Sequence, residues 1–321
     1  MPHQVGPLVN GMVDESWFED KGALLDGAAG VAKLKDMHVA PTNDVAIRRP
    51  YSVTSDILAF RNCSRQYGYF GVRNYAPAQA TQLYFGIVIH QTLDRAHHQF
   101  RGMIEGKPKG VPGNKDVEEY FHTITSSLRA RGIRPYGANA EKAAKDYLIR
   151  FNSKYGPDLY PRVVNTEQRL QADMKKFYLH GVVDVLATTP GNTEELEIWD
   201  YKGSERVDDD SPEMKNYEFQ MRVYAELYKQ KVGKYPVRAV LCFLAEKSFD
   251  EMTKEITFDE VSTAIAMKTF VGTVAEIEVR REKGDWSPPK VPPSVKTCGA
   301  CDIRWDCSTA QKVYKFTPRT P

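Results

Sequence analysis

The chain of 321 residues contains no run of eighteen apolar residues, so no segment is suited to span a bilayer as a helix. Its opening, MPHQVGPLVNGMVDESWFEDK, has no basic stretch followed by an apolar one, which argues against a secretory leader and predicts a cytoplasmic protein with no membrane partner. A strong excess of one charge is also missing: 44 Lys and Arg against 42 Asp and Glu give a formal net charge of +2. A protein that coats nucleic acid through bulk charge would show a far larger imbalance, so any such contact must come from local patches. No internal repeat, low-complexity tract or GxxxxGK[ST] phosphate loop occurs, which excludes a built-in ATP-driven motor of that type. Cysteine is scarce, with five residues. In a reducing compartment so few thiols are more often metal ligands or catalysts than disulfides.

What is present is enough apolar material, 41% of the chain, for one large domain or two small ones. Residues 1–50 lack sustained periodicity and read as an N-terminal extension with one helix near Glu15–Leu34. The ordered part opens with YSVTSDILAFRNCSRQYGYF, where Thr54 or Ser55 can cap a helix carrying Ile57, Leu58 and Phe60. A second helix, FGIVIHQTLDRAHHQFRGMIEG, leads into a Gly-, Pro- and Lys-rich loop at 107–115 and then two further helices, which form a helical insertion over about 105–160. From Val163 the period changes to that of strands, in VVNTEQRLQADM, KFYLHGVVDVLATT and ELEIWDYKG, with TPGN as the turn between the last two. A helix (MKNYEFQMRVYAELYKQKVG), a strand (YPVRAVLCFLAE) and a long helix from Asp259 to Gly284 follow, then a proline-rich segment with three late cysteines and a tail at 313–321. Helices, a meander, a helix and another strand make an α/β domain over 51–312.

Asp200 and Lys202, one residue apart in a strand, share a face while Tyr201 points the other way. Alone they read as a surface ion pair. Asp184, set among valines and a leucine in the neighbouring strand, changes that, because a carboxylate in an apolar run must be neutralised by something. Two carboxylates converging from adjacent strands suit a hard divalent cation, and Mg2+ or Mn2+ there can polarise a phosphodiester and activate a water. Lys202 would orient that water or offset charge on the phosphorane. Gln220 and Tyr224 lie at i and i+4 on one helix face, where they either hold substrate, orient the lysine or cap the core. His90 sits on an apolar helix face, where a lone histidine is ordinarily a core residue.

Cys242, in AVLCFLAE, reads as core. Cys298, Cys301 and Cys307 fall within ten residues as C-x2-C-x5-C, and Cys63 is the remaining candidate for a fourth ligand. Four thiolates can hold zinc or a [4Fe–4S] cluster, and the three-plus-one split favours the cluster with zinc as the lesser alternative. Either would tie residue 63 to residues 298–307. Arg61, Arg65 and Arg73, interleaved with Tyr67, Tyr69, Phe70 and Tyr75, form either a phosphate-binding and base-stacking surface or a shield around the cysteines with solvated arginines.

Taken in order, SVTSDILAFRNCSRQYGYF, GIVIHQTLD, HGVVDVL, IWDYKG, QMRVY and CGACDIRWDC resemble the RecB-like branch of the PD-(D/E)XK nucleases. The closest likeness is to its iron–sulfur subset: the AddB nuclease domain, CRISPR-associated RecB-like nucleases and exonuclease V. The resemblance covers Tyr51 to Lys312. It implies a restriction-endonuclease-like fold, a mixed sheet flanked by helices, with an Fe–S clasp joining its N- and C-terminal parts. It further implies that His90, Asp184, Asp200 and the backbone carbonyl of Tyr201 hold the metal, that Lys202 assists the water, and that Gln220 and Tyr224 complete the site. Cys63, Cys298, Cys301 and Cys307 would ligate the cluster. The expected activity is metal-dependent exonucleolytic hydrolysis of single-stranded DNA or DNA ends, in DNA repair, recombination or phage or CRISPR DNA processing, with any helicase or recombination partner on a separate chain. The competing reading is a non-catalytic iron–sulfur subunit that holds DNA ends in a larger complex.

Overall fold

The computed structural model describes residues 8–9, 12–13, 48–75, 81–103, 110–135, 137–299 and 301–313. The chain divides into two units, Met1–Arg48 and Arg49–Pro321. In the first, Leu8–Val9 pairs antiparallel with Met12–Val13. The helix expected near Glu15–Leu34 lies outside the described residues, as does the tail beyond Val313.

The second unit is built on a mixed six-stranded sheet: β1 (Pro50–Ser52), β2 (Val163–Asp173), β3 (Tyr178–Thr189), β4 (Asn192–Lys202), β5 (Arg238–Phe243) and β6 (Thr253–Thr257). Three long helices come between β1 and β2: α1 (Thr81–Phe100), α2 (Asn114–Ala130) and α3 (Ala138–Lys154). α4 (Pro212–Val232) connects β4 to β5 and α5 (Glu260–Lys283) follows β6. β1 and β6 escape sequence reading. The first is three residues long, and the second, TKEIT, buries only Ile256 and carries its charges on an edge, where they discourage further pairing.

Local chemistry sets the element ends. The Ser211 hydroxyl accepts the Met214 N–H at 3.1 Å and Pro212 occupies the first turn of α4, which stops at Gly233 in the left-handed region (φ 90°). Asp259 caps α5 through the Ser262 N–H at 2.8 Å, and Gly284 (φ 64°) ends it. Before α1, the segment from Val53 to Val72 winds through short α turns bracketed by wider π turns, with Cys63 in extended conformation at its centre.

The strand pairing creates the feature on which the site depends. β2 runs antiparallel along β3 from Tyr178 to Ala187 and so takes one whole edge of it. The other edge is shared. β1 pairs parallel with Tyr178–His180, and β4 pairs antiparallel from Val185 onward, with Val185 opposite Trp199. Beyond Trp199 β4 continues against β5 alone, Asp200 opposite Leu241 and Lys202 opposite Phe243. β3 and β4 therefore part at Asp184 and Asp200.

Each sheet face carries its own core. Ile198, Leu241 and Phe243 pack with Phe219 and Leu227 of α4, Phe270 of α5 and Ile57 and Phe60 of the opening segment. Trp199, Tyr201, Val240 and Cys242 pack with Ile89 and Leu93 of α1, Phe121 of α2 and Phe151 of α3. On β3, Val183 belongs to the first core and Val185 to the second, so the strand changes face at Asp184.

Gly181 of β3 lies under the Tyr224 ring, and a methyl group there would stand 2.5 Å from it. Gly181→Ala is expected to destabilise by about 1–3 kcal/mol through overpacking. Gly86→Ala, on α1 with nothing within 4 Å of the added carbon, should be neutral or stabilising by about 0.5–1 kcal/mol. Chemical denaturation of the two variants beside the wild type checks both.

Candidate active site

The parting strands expose polar groups that neighbouring chain segments fill. The Asp184 carboxylate accepts the backbone N–H of Tyr201 at 2.8 Å, doing with a side chain what the ladder no longer does. Its other oxygen lies 3.2 Å from His90 Nδ1, which reaches in from α1. Glu167 of β2 stands 3.8 Å from the same nitrogen, and His90, Glu167 and Asp184 each place a ligand atom within 4.8 Å of the others. Glu167 has φ 46°, a left-handed backbone in mid-strand that a non-glycine residue adopts only when its surroundings hold it there. Next to it the Thr166 hydroxyl hydrogen-bonds His98 Nε2 at 3.1 Å.

Asp200 comes from the other side of the fork and is 3% exposed. Lys202 Nζ pairs with its Oδ2 at 2.6 Å, and Gln220 Nε2 donates to its Oδ1 at 3.2 Å and to the Tyr224 hydroxyl at 3.1 Å. The lysine ammonium also lies 4.4 Å from the centre of the Tyr217 ring, a cation–π contact. Gln220 and Tyr224, both about 5% exposed, brace Asp200 from beneath rather than face solvent, and they reach the lysine through that carboxylate.

The electrostatics show how tightly acids and bases are packed. Burial raises the Asp200 carboxyl, with Asp184 adding to the rise while Lys202 and His90 oppose it. Burial pushes His90 down, but the adjoining Asp184 and Glu167 carboxylates outweigh that and lift it to about 10. A cation bound at the same nitrogen would displace that proton. The donor set of one imidazole and carboxylates, partly open to solvent, fits a hard divalent ion.

Behind the fork lies an aromatic wall. Tyr201, adjoining Asp200 and Lys202, turns its ring into the second core and shares a hydrogen bond with His97 Nε2 at 3.0 Å. The His97 ring packs edge-on against Tyr160, and Phe151 packs edge-on against Tyr201. Burial, and after it the neighbouring His98 and Arg101, depress His97 to about 3.

The four cysteines singled out by spacing line one small pocket, partly open to solvent, together with Arg65, Pro288 and Ala310. Cys242 instead lies buried in the sheet core. Burial raises the thiols of Cys63, Cys298 and Cys301, and Cys307 raises each further, the mark of sulfurs close enough to repel as thiolates. Among the described residues no three of these sulfurs come within 4.8 Å of one another. Protein contacts reinforce this junction. The Ser64 hydroxyl donates to the Ser287 carbonyl at 2.8 Å, Arg65 donates to the Asp306 carbonyl at 3.0 Å, and Gly68 lies flush against Trp286.

The basic and aromatic residues around Cys63 divide. Tyr67 is not a stacking surface: it is 4% exposed, its hydroxyl donates to Asp56 at 2.8 Å, and its ring packs on Phe60 and Trp286. A helical turn aims it into the core. Arg65 is committed to Asp306. Arg61 and Arg73 are exposed, the first over Phe219 and the second over Tyr69, which stacks on the exposed Tyr75 at 5.8 Å.

Glu167, His97 and Tyr217 are the residues of this site that sequence reading passed over. Glu167 sits in the polar string NTEQR, where nothing marks it, and its placement depends on an irregular backbone. His97 is half of an HH pair with no motif around it.

The PD-(D/E)XK nuclease superfamily model matches residues 52–308. No curated protein sequence matches the chain significantly. Among solved structures, a candidate exonuclease from Eubacterium rectale aligns over 89% of this chain and 96% of its own, with 13% identity and a TM-score of 0.47. The protein SSO0001 aligns over 77% of this chain and 95% of its own, with 13% identity and a TM-score of 0.32.

His97 supplies a pH test. Its folded pKa, about 3, lies below the ordinary value of 6.5, so the unfolded chain binds the extra proton between them. The stability this neutral ring confers is complete above about 6.5 and is lost as pH falls toward 3. Between pH 7 and 5, largely clear of the carboxylates, the metal-free protein should lose on the order of 2 kcal/mol through this residue. His90, raised to about 10, adds stability over the same interval in wild type and His97→Gln alike, so the readout is the difference between their denaturation curves. Between pH 7 and 5 the wild type should lose about 2 kcal/mol relative to the variant.

Proposed function

The chain belongs to the PD-(D/E)XK nuclease superfamily, and from that premise we propose that it is a Mg2+- or Mn2+-dependent deoxyribonuclease acting as an exonuclease on single-stranded DNA or DNA ends. The observation that carries this reading is the cluster at the fork: His90, Glu167 and Asp184 around one point, with Asp200 and Lys202 beside it. His90, Asp184, Asp200 and the Tyr201 backbone carbonyl, with Glu167 beside them, would hold the cation. The cation, when bound, supplies Lewis acidity at the scissile phosphate and lowers the pKa of the attacking water.

The remaining work falls to the chain. Lys202 Nζ, held between Asp200 and the Tyr217 ring, is placed to orient the water and to offset charge developing on the non-bridging phosphate oxygens. Gln220 and Tyr224 keep the Asp200 carboxylate in one rotamer, and His97 with Phe151 keeps Tyr201 from rotating out of the wall. Arg61 and Arg73 are the phosphate-binding candidates among the three arginines, and the stacked Tyr69 and Tyr75 offer a flat face to an unpaired base.

We assign the chain further to the RecB-like, iron–sulfur subset, with Cys63, Cys298, Cys301 and Cys307 holding a [4Fe–4S] cluster whose part is to clasp residues 63 and 298–307. The convergence of all four cysteines on one pocket supports this, and the three-plus-one split of the thiols along the chain favours a cluster over zinc. The chain would work on ends alone or beside a separate helicase or recombination partner.

End-labelled single-stranded, duplex and circular DNA distinguish these points. Linear substrate should be degraded only with Mg2+ or Mn2+, and circular single strands should be spared. Asp200→Ala should abolish cleavage, and Lys202→Ala should lower kcat by about 10²–10⁴-fold. Metal-independent or undiminished cutting by these variants overturns the assignment, and cutting of circles overturns the exonuclease reading. Anaerobically purified protein should be brown, absorbing broadly near ~400 nm, and Cys63→Ser should bleach or unfold it. Full colour and stability in that variant would mean that another residue is the fourth ligand.

A further inference from the structure

α5 is apolar on two sides but covered on only one. Thr263, Ala266, Phe270, Thr273, Val274 and Ile277 are buried against the core. On the opposite side, Val261, Ile265, Lys268, Gly272, Ala275 and Val279 are all exposed, with Val261 at 70%, Ile265 at 61% and Val279 at 47%. Their steps of 4, 3, 4, 3 and 4 residues trace one straight seam, the spacing by which paired helices pack. A solvent-facing helix side ordinarily carries charge, and this seam has a single charged residue, Lys268. Among the described residues Lys268 makes no ion pair.

We propose that this face is a homodimer interface, in which α5 packs antiparallel against α5 of a second copy about a two-fold axis at Gly272. The sequence of the seam selects that occupant. With the axis at Gly272, residue 268 of one copy meets residue 276 of the other, and residue 265 meets residue 279. Lys268 thus meets Glu276 twice, and Ile265 meets Val279 twice, as an isologous contact requires. Glu276, 54% exposed beside the seam, already bonds Arg280 at 3.1 Å and has a free carboxylate edge to offer. Gly272 at the axis has nothing within 4 Å of the place a side chain would take, so the two backbones can approach closely there. Displacing the partner by one turn sets Lys268 against Gly272 in one direction and against Arg280 in the other. Only the Gly272 register satisfies both charges. The interface is independent of the chemistry at the fork, since none of its residues belongs to the site.

Sedimentation velocity on the full-length, cluster-loaded protein at about 1 to 50 μM tests this. The wild type is expected to sediment as a dimer. Lys268→Glu and Glu276→Lys should each weaken dimerisation by about tenfold or more, since each turns two attractive pairs into repulsive ones. Mixing the two variants in equal amounts should restore dimers, because both cross pairs are then attractive again. The substitutions are exposed and leave nuclease activity per chain unchanged, which shows that the variants are folded. A wild type that stays monomeric at 50 μM overturns the proposal, as it would if another segment of the same chain covers the seam. So does a dimer that is indifferent to both substitutions, or a mixture that stays dissociated.

Discussion

The parting of β3 and β4 is the constraint from which the candidate site follows. Hydrogen bonding between them ends at Val185 and Trp199, because β1 takes the same edge of β3 further back and β4 turns to follow β5. A ladder that stops inside a protein leaves amide groups to be satisfied, and the Asp184 carboxylate takes the Tyr201 N–H. That bond seats one acid at the crotch and fixes the strand carrying the other. α1 brings His90 to the same point, and Glu167 reaches it from β2, on the paired edge of β3 between Thr166 and Gln168.

The two cores then hold this concentration rigidly. Asp200 and Tyr201, adjacent in sequence, are gripped from opposite faces, the first by Gln220 and Tyr224 and the second by His97 and Phe151. A side chain braced from one face can still swing with its strand. Braced from both, the strand itself is held. The costs appear as a buried carboxylate with a raised pKa, a histidine forced to stay neutral and a glutamate with positive φ. At a larger scale the Ser64, Arg65 and Gly68 contacts join the opening segment to the end of the described chain, beside the pocket that the four cysteines line.

Much of this was legible in the sequence. Alternation in the 163–202 segment marked three strands, and the acid in HGVVDVL stood out because an apolar strand tolerates a carboxylate only for a reason. Asp200 and Lys202 shared a face by period alone, and i, i+4 spacing placed Gln220 with Tyr224. The cysteine spacing singled out four thiols, and the structure sets all four around one pocket. These inferences are short in range or depend on residue types that are rare in their surroundings. β1 and β6 were missed for the opposite reason: each is a strand because of the neighbour it pairs with, and neither pattern is distinct from loop.

The sequence by itself determined the composition of the fork, the acids, the lysine and the helix face that supports them, because local period and the energetic cost of misplaced charge are written residue by residue. Only the tertiary structure decided which residues meet across distance. Glu167 joins His90 and Asp184 through a backbone distortion, Tyr67 turns inward while Arg61 stays out, and His97 finds Tyr201 on the far side of the sheet. The physical reason is that pairing of remote strands, and the packing that pays for strained or buried groups, belong to the assembled chain and leave no periodic trace in any one segment.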